Sequence, residues 1–459
     1  MTFGGLRAAL PDAIATGAAL EADAGFSSVC IDSRVCRAGA LFVCLPGTAR
    51  DGHHYAEAAF KAGAVAALVE KAKLSGEMSG LKATAQQYGA LLFATDNTLH
   101  ALQDAAKAYL EQFPHLLKIG VTGSSGKTTV KEIAGAIISC EKNVVMNKGN
   151  LNSETGLPLS VFEVRAEHEA GIFEMGMNRA GEIRELSRVL KPHIALITNI
   201  GEAHIGMLGS LEAIAAEKKA AFSGFTGKET ALIPSSDAFR DTLAHEVNGK
   251  VVLYETVCPA TDLGLDGTEL ELDGARIRFP LPGAHNLKNA LAAAAIAREA
   301  GVKPSSIKKG LESVQPLFGR SEIIRGRVTI IQDCYNANPD STAAAIGFCD
   351  GIAWKGRRVY VIGSMLELGA RSEAAHTRIG RLLAASRADG IFLFGAETRA
   401  IADILKKNET PERKPFFFTE HMTELSNLLV QHVQEGDLVL LKGSRGCALE
   451  RLTGALADH

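Results

Sequence analysis

The chain has 459 residues, 46% of them hydrophobic and 22% charged, with a formal net charge of −3. That length suggests about three domains, and the near-neutral charge excludes a surface given over to nucleic acid, which needs a basic face. The eight cysteines are scattered with no Cys-x-x-Cys pair, which excludes a zinc ribbon or disulfide framework and reads as small buried hydrophobes in a reducing compartment.

Residues 1–96 read as a small α/β domain. Apolar runs at 28–32, 40–45, 65–69 and Leu91–Thr95 predict strands, and 55–62 predicts a helix. Between them lie two polar turns, Asp32-Ser33-Arg34 and Pro46-Gly47-Thr48-Ala49-Arg50-Asp51-Gly52-His53. Such turns between buried strands suit a polar ligand, but taken alone they read first as solvated connections.

Residues 97–316 read as a phosphate-loop domain with a mostly parallel sheet. A strand-like run at 116–121 leads into Gly123-Ser124-Ser125-Gly126, then Lys127-Thr128-Thr129. A helix follows, with apolar residues at Val130, Ile133, Ala134, Ile137 and Ile138 in i, i+3, i+4, i+7, i+8 spacing. Strand, glycine loop, Lys-Thr and helix together cradle a triphosphate. Glycines let backbone N–H groups turn toward anionic oxygens, and the helix N-terminus adds partial positive charge. Lys127 would reach the outer phosphates, and the Thr128 hydroxyl would hold Mg²⁺. The strict Gly-x4-Gly-Lys-[Ser/Thr] pattern fails because position 121 is Val, so the loop is a variant.

Further strands are expected at 172–173 and Ile194–Ile197. Glu174 directly follows the first, and His204 follows the second by one short loop. Residues just past strand ends in a parallel sheet face the ligand crevice. Taken singly they read as a turn-capping carboxylate and a surface histidine; beside a phosphate loop they read as metal ligands. On the helical segment 211–222, Leu211, Ile214, Ala215 and Lys218 form one stripe. A lysine there either lays its stem on the apolar face with its head in water, or is buried, neutral and able to react with CO₂ to form a carbamate. Spacing alone favours the first. Residues 281–286 form a turn that opens an alanine-rich helix through Ala300, with Gly301 as its stop.

Pro316 suits a domain boundary and a hinge at 316–320. Beyond it, residues 317–459 carry apolar runs at 328–331, 359–362, 391–394, 416–418 and 438–441, each followed by a helix-compatible segment. That alternation predicts a Rossmann-like, doubly wound parallel sheet. No stretch is long and apolar enough for membrane insertion, and the first residues lack a basic segment followed by an apolar one. A cytoplasmic chain is expected.

In matching order, Asp32-Ser33-Arg34, Asp51-Gly52-His53, the loop at 123–129, Gly149-Asn150-Leu151-Asn152, Glu174-Met175-Gly176-Met177-Asn178, the segment from Thr198-Asn199 to His204, Gly283-Ala284-His285-Asn286 with Asn289, Gly319-Arg320, Asp333-Cys334-Tyr335-Asn336-Ala337-Asn338-Pro339 and Lys442-Gly443-Ser444-Arg445-Gly446 resemble the Mur ligases. These are ATP-dependent amide-forming enzymes of peptidoglycan precursor synthesis. The Tyr-Asn-Ala-Asn-Pro and Lys-Gly-Ser-Arg segments point to the branch that adds D-alanyl-D-alanine. The Asp-Asn-Pro-Arg motif of the branch that adds diaminopimelate or lysine is absent. Ser153 and Ser364 stand where the family usually has Asn and Asp.

The resemblance implies three domains: 1–96 for the UDP part of UDP-N-acetylmuramoyl-tripeptide, 97–316 for ATP, and 317–459 as the ligase domain. It implies UDP contacts from Ser33, Arg34, Thr48 and Asp51, and further substrate contacts from Asn150 and Asn152. ATP would lie on Gly123, Ser124, Ser125, Gly126, Lys127, Thr128 and Thr129, with Asn286 and Asn289 near adenine. Arg320, Asp333, Asn336 and Asn338 would approach the nucleotide from the third domain. Thr128 would hold one Mg²⁺, and Glu174, His204 and a carbamylated Lys218 would surround a second. Lys127, Lys218 and His204 would be catalytic. Lys442, Ser444 and Arg445 would meet D-alanyl-D-alanine. The implied reaction passes through an acyl phosphate assembled by domain closure, in a monomer. Rival expectations are a sibling ligase, a folate polyglutamate synthetase, or, in a different class, a partner-regulated phosphate-loop ATPase that needs no acyl acceptor.

Overall fold

The structure, a computed structural model, describes residues 1–17, 23–47, 50–76, 78–407 and 414–457. Thr48, an expected UDP contact, lies outside them.

In the N-terminal domain the strands Ser28–Cys30, Ala40–Val43, Ala66–Glu70 and Leu91–Thr95 pair in parallel, and Ile14–Gly17 adds an antiparallel edge to the last. Ala40–Val43 is buried at every position, as a parallel strand covered on both faces should be. The strand expected at 28–32 stops at Cys30. The Asp32 carboxylate accepts the Arg34 N–H at 3.0 Å, and a single 3₁₀ turn, Ser33–Val35, follows.

The central sheet has six parallel strands in the order Lys250–Tyr254, Thr230–Pro234, Ile194–Ile197, Leu117–Thr122, Ala170–Glu174, Val144–Met146. Leu117–Thr122 therefore lies between the strands that lead to His204 and end at Glu174, so the phosphate loop and both residues emerge at one edge. Helix Ala284–Glu299 packs on helix Lys127–Ile138, and its alanines from Ala290 to Ala297 are buried. Sequence reading missed a small antiparallel sheet, Ala260–Asp262, Thr268–Leu272 and Ala275–Phe279. Its signal was present: Asp273-Gly274 joins the last two strands with φ of 52° and 74°, as a tight hairpin turn requires.

The C-terminal sheet runs Glu322–Arg325, Thr329–Asp333, Leu438–Lys442, Arg358–Gly363, Gly390–Phe394, Phe416–Thr419, with only the first strand antiparallel. The chain's last strand inserts between the second and fourth positions and brings Lys442 into register with Asp333. Helix Thr98–Leu110 lies in one core shared by the N-terminal and central domains, where Phe3 and Phe93 join Phe162 and Phe173. Among the described residues, no helix is long and apolar enough to cross a membrane.

Candidate active site

The phosphate loop takes its shape from two glycines. Gly123 has φ +148° and Gly126 φ +81°, and a Cβ at either would run into Thr198 or Asn289. The neighbouring strand end braces the loop. The Ser125 N–H donates to Asn199 Oδ1 at 2.9 Å, and Ser124 Oγ donates to the Gly201 carbonyl at 3.0 Å. Helix Lys127–Ile138 starts at Gly126, and Lys127 Nζ reaches back to the Gly123 carbonyl at 2.9 Å across the loop mouth. Burial lowers the Lys127 pKa; the Glu174 carboxylate opposes that shift and Arg320 adds to it.

Glu174 is held at every polar atom. Thr128 Oγ1 donates to Oε2 at 2.6 Å and Asn152 Nδ2 to Oε1 at 2.7 Å. Asn147, 1% exposed, accepts the Glu174 N–H at 2.9 Å and donates to its carbonyl at 3.1 Å. Asn152, expected as a substrate contact, thus faces the carboxylate, while Asn150 lines the cavity. Ser153 caps the following turn, accepting the Gly156 N–H at 3.1 Å.

Lys218 corrects the expectation from spacing. It is 1% exposed, so its head does not reach water. Burial, followed by the nearby Lys127 charge, pushes its pKa well below the ordinary lysine value, against the pull of Glu217 and Glu174. Its helix, Leu211–Lys219, is pinned by Glu217, whose carboxylate accepts the Gly181 and Ile183 N–H groups at 2.8 and 2.9 Å. His204 has φ 61° and heads the turn Ile205–Leu208, with Nδ1 3.3 Å from Glu367 Oε2 of the C-terminal domain.

The C-terminal domain reaches the loop from the other side. Arg320 donates to Thr128 Oγ1 at 2.8 Å and lies 4.2 Å from the Tyr335 ring centroid. Asn338 Nδ2 donates to Ser125 Oγ at 3.0 Å. Asp333 pairs with the buried Lys442 at 2.8 Å, and Lys442 also donates to the Asn336 carbonyl at 2.9 Å. Arg445 pairs with Glu450 at 2.8 Å and stands over Phe318. Asn286 donates to the Pro282 carbonyl at 2.9 Å and accepts from Asn289 at 3.3 Å.

One cavity of 1210 Å³ is lined by Ser124 through Thr129, Asn150, Asn152, Glu174, His204, Asn286, Asn289, Arg320, Asp333, Asn336, Asn338, Lys442 and Arg445. Ser444 is not in its lining; buried, it donates to the Ala337 carbonyl at 3.3 Å and accepts the Leu366 N–H at 2.9 Å. Ser33, Arg34 and Asp51 stand apart in the N-terminal domain. Arg34 forks onto Asp32 at 2.9 and 2.6 Å. Asp51 is engaged by His53 Nδ1 at 2.6 Å and Lys73 at 2.9 Å. Sequence reasoning missed Asn147, Asn199, Tyr335 and Glu367 as parts of the site. Asn199 was findable, because it lies just past a strand end beside the loop. Glu367 carries no local signal.

Among the described residues no group of three His, Cys, Asp or Glu side chains is gathered to hold a metal. The cavity wall offers mixed donors, a hydroxyl at Thr128, a carboxylate at Glu174 and an imidazole at His204; the desolvated amine of Lys218 is not in that lining but lies near enough to feel the charges of Lys127 and Glu174. Hydroxyl and carboxylate oxygens fit Mg²⁺, and an uncharged buried amine is the form that takes up CO₂.

Three family models match the chain: "Mur ligase family, catalytic domain" over residues 26–110, "Mur ligase middle domain" over 121–297 and "Mur ligase, glutamate ligase domain" over 319–445. A UDP-N-acetylmuramoyl-tripeptide–D-alanyl-D-alanine ligase of Treponema pallidum is 46% identical over 435 residues, covering 93% of each chain. The crystal structure I of MurF from Acinetobacter baumannii is similar over 100% of this chain and 99% of that one, with TM-score 0.87 and 29% identity. MurF ligase from Thermotoga maritima, solved in complex with ADP, covers 94% of this chain and 97% of its own, with TM-score 0.78 and 26% identity.

Proposed function

The chain belongs to the Mur ligase family, and on that footing we propose that it joins D-alanyl-D-alanine to UDP-N-acetylmuramoyl-tripeptide with ATP, in peptidoglycan precursor synthesis. The observation that carries this reading is the single cavity onto which the phosphate loop, the Thr128–Glu174 pair and the third domain's Arg320 and Asn338 all open.

The tripeptide's terminal carboxylate attacks the γ-phosphorus of ATP, and ADP leaves. The resulting acyl phosphate has a good leaving group. The dipeptide's neutral amine adds to its carbonyl carbon, inorganic phosphate departs, and the amine's proton passes to solvent. Two anions meet in the first step, so Lys127 and Arg320 serve by neutralising charge and fixing the line of attack. Mg²⁺, when bound, supplies further charge neutralisation on the phosphate oxygens. Thr128 would hold one such ion, and Glu174 and His204 would hold a second together with Lys218 as a carbamate, formed when the neutral amine bonds to CO₂ and releases a proton. Asn286 and Asn289 would border adenine. Ser33 and Arg34 would meet the UDP group, with Arg34 exchanging Asp32 for it; Lys442 and Arg445 would face the dipeptide. The protein would act as a cytoplasmic monomer.

The test is amide formation from UDP-N-acetylmuramoyl-tripeptide, ATP and D-alanyl-D-alanine, run beside single amino acids and folate acceptors. Product only with the dipeptide is expected. ATP hydrolysis without any acyl acceptor would favour the partner-regulated ATPase instead.

A further inference from the structure

We propose that Glu367 is a positioning residue for His204, delivered to it by the C-terminal domain, so that the central domain's metal site is complete only when the two domains are docked. This rests on reading His204 as a metal ligand. Glu367 Oε2 lies 3.3 Å from His204 Nδ1. A carboxylate on Nδ1 fixes the ring's tautomer and direction and leaves Nε2 free to ligate.

The backbone on both sides is built for this meeting. His204 has φ 61° and Glu367 φ 66°, left-handed values that non-glycine residues rarely adopt and that gather at functional sites. The loop that carries Glu367 is rigidly held. The Met365 N–H donates to His376 Nε2 at 3.0 Å, the Leu366 N–H to Ser444 Oγ at 2.9 Å, and the Ser364 N–H to the Phe394 carbonyl at 2.9 Å. Ser444, away from the cavity, thereby gains a role in setting this loop. On the facing segment, a Cβ at Gly206 would come within 2.6 Å of the Leu368 backbone, so the two loops touch main chain to main chain. Arg378 bridges the same interface, 3.2 Å from Glu202 and 3.3 Å from Asp340.

Stability does not explain the pair. The Glu367 side chain is 61% exposed against 16% for His204, and solvent around the carboxylate screens the pair so that it contributes little to folding. Orientation of the imidazole is what the contact supplies.

The experiment uses the full chain and Mn²⁺ as probe, titrated by electron paramagnetic resonance. One arm holds a non-hydrolysable ATP analogue with UDP-N-acetylmuramoyl-tripeptide; the other holds the analogue alone. With both ligands, Glu367→Ala should weaken Mn²⁺ binding about 10- to 100-fold, the usual cost of losing a carboxylate behind a ligating histidine. Glu367→Gln, which keeps an acceptor oxygen, should recover most of that loss and also guards against a folding artefact. With the analogue alone, Glu367→Ala should match the wild type. In turnover, kcat should fall with KM for ATP unchanged. Wild-type Mn²⁺ affinity for Glu367→Ala in the two-ligand arm, while His204→Ala loses affinity, overturns the role of Glu367 alone. Equal losses for Glu367→Ala in both arms overturn the link to docking. Wild-type affinity for His204→Ala overturns the underlying reading of His204 itself.

Discussion

Lys218 sits where a cation is least welcome: desolvated, and close enough to Lys127 to feel its charge. Both effects favour the neutral amine, the form that can bond CO₂. Lys218→Arg should therefore be as damaging as Lys218→Ala, because guanidinium stays cationic and cannot form a carbamate. A loss of roughly 10²–10³-fold in acyl-phosphate formation is expected, the scale for removing one preorganised electrostatic group. A small carboxylic acid should partly restore Lys218→Ala and not Lys218→Arg; wild-type turnover in Lys218→Arg would make the residue structural only. Lys127→Ala should lose phosphate release and amide formation together, by a similar factor, because the ammonium lies across the loop mouth. Parallel assays of ADP and amide product would show whether the two losses coincide.

Among the elements, helix Glu182–Leu190 depends on a residue far from it in sequence. Glu217 accepts the N–H of Gly181, just before it, and that of Ile183 in its first turn, so the same contact caps one helix and sets the register of the helix carrying Lys218. Glu217→Ala should cost about 0.5–2 kcal/mol in denaturant unfolding, the range for a lost cap, and should lower activity more than Glu217→Gln does. The loop at 364–368 depends on His376, which is fully buried and accepts the Met365 N–H through Nε2. Burial depresses its pKa, against the Ser372 carbonyl and Glu397. Below the ordinary histidine range the unfolded chain binds this proton and the folded chain does not. Stability is then whole above that range and falls as pH drops through it. His376→Gln keeps an acceptor and removes the titration, so its melting temperature should vary less between about pH 7 and pH 5 than the wild type's.

Across the whole molecule, the C-terminal domain is seated on the central one through Arg320 to Thr128, Asn338 to Ser125 and the close approach of Gly206 to Leu368. On the proposed reading, three substrates held by three domains would require such docking to bring their reacting atoms together. Gly206→Val would force that contact apart without touching the phosphate loop. It should keep nucleotide affinity and lose most of kcat, and X-ray scattering should show less compaction with nucleotide and acyl substrate than the wild type shows. Equal compaction in both proteins would locate the docking energy elsewhere.

Local pattern carried the alternation of strands and helices, the phosphate loop and the positions of Glu174 and His204, because period-2 and period-3.6 hydrophobicity and the placement of residues past strand ends are properties of neighbouring residues. The hairpin at Asp273-Gly274 was legible in the same way and passed over. The burial of Lys218 was not legible: its spacing is equally that of a lysine lying along a surface, and only the packing around its helix removes water from the amine. The engagement of Asn152 with Glu174, of Ser444 with the Leu366 backbone and of Glu367 with His204 was not legible either. Each joins residues brought close by sheet order or by docking of one domain on another. Such contacts depend on the whole fold's geometry, which no short stretch of chain encodes.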